Sequence, residues 1–287
     1  MSHRNSSLSD LQQPVRQAAA HPWVERLARL GYAAKGMVYF VVGLLAAQAA
    51  FTTGGRTTDP NGALETIIDQ PFGQFLLVII LIGLIGYALW RFVQTLVDPE
   101  HSGESLDAKR IAQRLGYAFS AIAYTGLAWT AVKLLMGESG EHGDSTRDWT
   151  ARSMAQPFGR WLVGLAGLVV IGVGVSYLYQ AYKAKFQRHF KLHEMSQTQR
   201  QWAKRLGQFG IAARGVVFGI IGLFLVLAAL RANSNEARGL GGALTALAEQ
   251  PFGAWLLGVV ALGLMAYSVY SIIEARYRQL APPSQNY

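Results

Sequence analysis

The chain has 287 residues, of which 51% are apolar and only 15% charged, with a net charge of +9 and no cysteine. The absence of cysteine excludes disulfides, thiolate metal sites and cysteine nucleophiles. The low charge, set against a usual ~25%, argues against an ordinary soluble domain and for long segments buried in lipid.

In chain order, residues 1–22 are polar and lack the apolar core of a secretion signal, so they read as a disordered tail on the side of synthesis. Six runs without Asp, Glu, Lys or Arg follow: Gly36–Gly55, Phe72–Trp90, Leu115–Val132, Trp161–Tyr182, Gly215–Leu230 and Pro251–Ile273. A bilayer needs ~20 apolar residues per helix, and the fifth run reaches that length if Arg214 is included in the span. Stretches such as "FLLVIILIGLIGYALW" are apolar on every face, which excludes the alternation of a membrane β-barrel. The expectation is an all-α polytopic membrane protein with six transmembrane helices.

Basic residues orient it. The N-terminus, the connections after the second and fourth helices and the C-terminus hold 19 Lys and Arg against eight acidic residues, a net of +11. The opposite side holds seven against nine, a net of −2. Positive charge stays inside, so both termini are expected in the cytoplasm. The same segregation accounts for a pI near 9.8 without nucleic acid, which is not expected as a partner.

The tetrapeptide "QPFG" occurs three times, as Gln70, Pro71, Phe72 and Gly73, as Gln156, Pro157, Phe158 and Gly159, and as Gln250, Pro251, Phe252 and Gly253. Each copy is expected to open an even-numbered helix on the outer side. Proline is tolerated in a first turn, phenylalanine suits the headgroup boundary and glycine permits close backbone approach. Upstream, each odd helix opens on a related phrase: "ARLGYAAKGMVYFVVGL", "QRLGYAFSAIAYTGLAW" and "GQFGIAARGVVFGIIGL". Gly31, Gly116 and Gly210 align, as do Tyr39, Tyr124 and Phe218. Before two tetrapeptides stands a third phrase, "GALETIIDQPFG" and "GGALTALAEQPFG", with the spacing of a short amphipathic helix on the outer surface. The organisation is three parallel two-helix repeats, over 23–100, 108–190 and 202–279, in a pseudo-threefold arrangement.

These phrases, recurring in order from Trp23 to Gln279, resemble the bacterial domain of unknown function 1206 membrane family. Copy two departs from the pattern, with Ser120-Ala121 where the others have Lys35-Gly36 and Arg214-Gly215. The resemblance implies three tandem two-helix units in a bacterial cytoplasmic membrane and brings no catalytic residue with it. A ring of three such units also resembles the mitochondrial carriers. Their Pro-x-Asp/Glu-x-x-Lys/Arg motif is absent here, because no proline lies within an odd helix.

Candidate functional positions are polar residues at the membrane border. Lys35 and Arg214 are equivalent near the cytoplasmic end of odd helices; Gln94, Gln180 and Glu274 are equivalent near that end of even ones. The reading preferred on sequence is snorkelling to lipid phosphates, with an Arg214–Glu274 pair inside copy three; the alternative is a basic vestibule for an anion. Glycines within the helices are expected to serve close packing. In the loop after the fourth span, Tyr182, Phe186 and Phe190 recur every four residues among lysines and arginines, as in an interfacial helix on anionic headgroups. His189 and His193 stand four apart without a third ligand or an "HExxH" base, and read as solvated. The outer acidic cluster Glu138, Glu141, His142, Asp144 and Asp148 reads as a solvated loop.

No catalytic, cofactor-binding or metal site is expected, and the chain does not read as an enzyme. The leading functional expectation is a non-enzymatic membrane component that organises lipids or partner proteins through its basic cytoplasmic face. Its partners are then the bilayer and anionic headgroups. The alternative is a small transporter or channel with an anion-favouring pathway between the repeats.

Overall fold

The computed structural model describes residues 22–52, 55–96, 108–138, 145–184, 186–187 and 190–278. Nine α-helices are found among them: α1 (Pro22–Phe51), α2 (Pro60–Ile68), α3 (Gly73–Leu96), α4 (Ala108–Leu135), α5 (Ser145–Met154), α6 (Gly159–Lys183), α7 (Gln197–Arg231), α8 (Leu240–Ala248) and α9 (Gly253–Tyr277). Helices α1, α3, α4, α6, α7 and α9 are each long and apolar enough to cross a bilayer. Six spans return the chain to the side on which it began. That side is called the basic end below, and the other the QPFG end.

The spans are held around a ring through small residues, because lipid supplies no hydrophobic drive between helices and contact must come from close approach. Where α1 meets α9, a side chain at Gly36 or Gly43 would strike the Ser268 or Ala261 carbonyl at 3.0 Å. Where α7 meets α6, the equivalent Gly215 and Gly222 face Gly174 and Gly167, whose carbonyls would lie 2.9 and 2.7 Å from an added Cβ. Where α4 meets α3, the equivalent residues Ala121 and Ala128 are buried, as is Ala88. These are the three seams between repeats.

Within repeats one and three the paired spans also pack. Gly31 lies against the backbone of Tyr87, and Gly210 against that of Tyr267; Gly83 meets Ala34, and Gly263 meets Ala213. Among the described residues, α4 and α6 of repeat two form no such seam. An added Cβ at Gly116, the aligned glycine of that repeat, meets nothing within 4 Å. The sequence explains the difference. Where Ala34 and Ala213 stand, repeat two has Phe119; where Gly83 and Gly263 stand, it has Val169. Two bulky residues replace an alanine–glycine contact, and the ring stays open there.

The tetrapeptide folds the same way in each copy. The glycine amide donates to the Gln carbonyl three residues back, at 2.8, 2.9 and 2.7 Å. Phe72, Phe158 and Phe252 adopt φ of 63°, 62° and 62°. Proline cannot take positive φ, so the turn is type II with phenylalanine where glycine is usual. The proline therefore precedes the helix rather than sitting in its first turn. The left-handed backbone costs about 1–2 kcal/mol and points each ring outward, 82–85% exposed. Glycine follows because a Cβ at Gly73, Gly159 or Gly253 would lie 2.2, 1.8 or 1.9 Å from a carbonyl of the preceding segment.

Those preceding segments are the helices α2, α5 and α8. Asp59 caps α2 by accepting from the Gly62 amide at 3.0 Å. The apolar faces of α2 and α8, with Ala63, Leu64, Ile67, Ala243 and Leu244, are buried in the same cluster as Leu77, Leu134 and Leu257. The Thr57 hydroxyl, just before α2, meets that of Thr245 in α8 at 2.7 Å. At this end α2 and α8 pack into the bundle, while α5, with Trp149 exposed, does not join their cluster.

Candidate functional site: a cation–aromatic cluster

Side chains on the odd helices lean toward their N-termini, hence toward the basic end. Lys35 does so from the face of α1 turned to α3 and α9, not to lipid. It is 2% exposed, its Nζ 3.4 Å from Glu274 Oε2, and it lies 4.8–5.1 Å from the ring centres of Tyr32, Tyr87 and Tyr267. Snorkelling does not describe it. Glu274 is buried too and accepts a second charge-assisted bond from Arg278. The Arg214–Glu274 pair expected from sequence is not formed: the chain brings Glu274 to the other end of the repeat array, across the α9–α1 seam.

Arg214 is half-buried in a cage of rings, with its guanidinium carbon 4.5 Å from the centre of Tyr267, 5.0 Å from Tyr177, 5.1 Å from Tyr39 and 5.3 Å from Phe218. Its Nη1 donates to the Tyr267 hydroxyl at 2.5 Å. Its Nε is buried without an acceptor, and no carboxylate among the described residues pairs with it. Gln94 is fully buried and accepts from Arg91 at 2.8 Å; Arg91 also donates to the Tyr87 hydroxyl. Gln180 is half-buried and bonds Ser176 at 3.1 Å. The five polar border positions thus divide: Lys35 and Arg214 share Tyr267, Glu274 joins through Lys35, Gln94 joins through Arg91, and Gln180 bonds Ser176 instead.

Repeat geometry relates these contacts. The α9–α1 seam that holds Lys35 and Glu274 is equivalent to the α6–α7 seam that holds Arg214 and Gln180, and to the α3–α4 seam with Gln94 and Ser120. The position that carries a carboxylate opposite Lys35 therefore carries a neutral amide in the seam of Arg214.

Sequence reasoning missed Tyr32, Tyr87, Tyr177, Tyr267, Arg91 and Arg278. A signal was present, since Tyr87 and Tyr267 both stand 17 residues after the glutamine of their tetrapeptide. Their edge-on contacts, 5.2 Å for Tyr32–Tyr87 and 5.1 Å for Tyr39–Tyr267, present ring faces to the cations.

Among the described residues, the loop after α6 does not continue as a helix. Ala184 takes a left-handed conformation and ends α6; Phe186 and Phe190 turn inward onto Tyr270, while Tyr182 stays exposed. His189 lies outside the described residues, and His193 is exposed beside Glu194. Glu141, His142 and Asp144 also lie outside them. No group of three metal-ligating side chains occurs among the described residues.

A family model described as Domain of Unknown Function (DUF1206) matches residues 30–98, 115–184 and 209–278. A Bacillus subtilis (strain 168) protein named "Uncharacterized protein YxxB" is 38% identical over 259 residues, covering 90% of this chain and 93% of that protein. No solved structure matches. With the family model matched in all three repeats and a relative similar along nearly its whole length, the chain belongs to the Domain of Unknown Function (DUF1206) family.

Proposed function

We propose that the protein is a non-enzymatic component of the bacterial cytoplasmic membrane, with both termini in the cytoplasm, that gathers anionic phospholipids at its basic end. The charge imbalance of the cluster carries this reading. The cluster sets four cations, Lys35, Arg91, Arg214 and Arg278, against one carboxylate, Glu274, which among the described residues pairs with Lys35 and Arg278 alone. A cation withdrawn from water without a partner costs several kcal/mol, and lipid phosphates at the same depth offset that cost. Each basic residue near an anionic surface contributes about 1 kcal/mol. The apolar packing of α2 and α8 into the bundle at the QPFG end supports gathering over passage.

The test extracts the protein in native nanodiscs from membranes of equal phosphatidylglycerol and phosphatidylethanolamine. The lipid retained around it is expected to be enriched several-fold in phosphatidylglycerol, less so in 1 M salt. Lipid at the bulk ratio would overturn the reading. So would anion flux into proteoliposomes above that of empty vesicles, which would favour transport.

A further inference from the structure

We propose that the unclosed seam between α4 and α6 holds a single anionic phospholipid, its phosphate on Arg214 and one acyl chain between Phe119 and Val169. The inference rests on the lipid-gathering reading and gives it a specific site.

The seam is missing where the repeat plan requires one. Phe119 and Val169 occupy the positions at which Ala34 and Gly83, or Ala213 and Gly263, touch, and they are 67% and 60% exposed. One turn toward the basic end, Gly116 and Gly172 leave room where their counterparts Gly31 and Gly86 are tightly packed: an added Cβ on either would meet nothing within 4 Å. The two walls therefore stand apart, with the wider space at the level to which Arg214 reaches.

Charge selects the occupant. Tyr177 belongs to α6, one wall of the gap, and also forms one side of the Arg214 cage, so the guanidinium stands 5.0 Å from a ring of that wall. Repeat symmetry places Gln180 where a carboxylate would neutralise Arg214 as Glu274 does Lys35. The missing charge and the unsatisfied Nε both call for an anion. Leu115 and Ile122 on α4 and Leu165 on α6 are exposed beside Phe119 and Val169 in sequence, an apolar setting that suits an anion carrying an acyl chain. A second copy docking through the same face would bring no carboxylate, because α4 and α6 contain neither Asp nor Glu.

The experiment is native mass spectrometry of the full chain released from mixed phosphatidylglycerol and phosphatidylethanolamine nanodiscs. One phosphatidylglycerol per chain is expected to survive release. Two variants remove it by different means. Gln180→Glu supplies the internal carboxylate, and Gly172→Leu fills the gap from a position where a side chain meets no neighbour. Each is expected to lower retention about tenfold or more, the loss of a charge-assisted contact or of the space. Unchanged retention in both variants, or a retained lipid without headgroup preference, would overturn the site. The enrichment of surrounding lipid stays the same in both variants if only the site is wrong. Its absence from the wild type as well would remove the broader reading too.

Discussion

Glu274 is the residue on which the buried charges depend. It holds Lys35 and Arg278 together across the join of the last and first spans. Replacing it as Glu274→Gln leaves both cations facing a neutral amide, at a cost of about 3–5 kcal/mol for a buried partner lost. Lys35→Met costs less, because Arg278 still engages the carboxylate and the new side chain packs among Tyr32, Tyr87 and Tyr267. Unfolding in mixed detergent micelles is expected to rank the variants in that order; equal losses would contradict it. The polar identity of these positions was legible in the sequence, but their direction was not. A lysine that follows five uncharged residues looks the same whether it turns to lipid or to a neighbouring helix. The deciding neighbour here lies 239 residues away.

Between helices, glycine has two meanings that the sequence does not distinguish. Gly222 faces Ile171 and the Gly167 carbonyl at 2.7 Å, so Gly222→Leu overpacks the α6–α7 seam and is expected to cost about 1–3 kcal/mol. Gly126 meets nothing, and Gly126→Ala is expected to stabilise the protein by about 0.4–1 kcal/mol through the unfolded chain. Melting temperatures of the two purified variants, moving in opposite directions, check the assignment. The element boundaries were easier to read. Three copies of "QPFG" located the entry to each even span, since a glycine forced against a carbonyl and a proline in a turn leave few alternatives. The inward turn of Phe186 and Phe190 was not legible, because a four-residue aromatic spacing fits a lipid-facing helix equally well until α6 is seen to end at Lys183.

For the whole molecule, the repeat count and the common direction of the three units followed from the aligned phrases. The order of the spans did not follow, because Gly36, Ala121 and Gly215 are seen to be seam positions only once their partners on the neighbouring repeat are known. Full threefold closure did not follow, and the reason lies in two side chains. The double change Phe119→Ala with Val169→Gly restores the contact pair of the other repeats and is expected to bring α4 onto α6. With Gly116→Cys and Val173→Cys added, a disulfide should form in that background and not in the native one, where nothing stands within 4 Å of a Cβ at Gly116. The chain's lack of cysteine makes the gel shift free of background. Cross-linking in both backgrounds would mean that the walls already meet.

The join between the first and last spans bears on biogenesis. At about 5–20 residues per second, roughly 12–48 s separate the emergence of Lys35 from that of Glu274 during translation. Throughout that interval the nascent first span carries an ammonium group with no counter-ion of its own chain. The ribosome-bound intermediate must therefore leave Lys35 near headgroups or in the insertion machinery until the final hairpin arrives. Quality control has a natural checkpoint there, since every C-terminally truncated product lacking α9 retains that exposed mark of incompleteness.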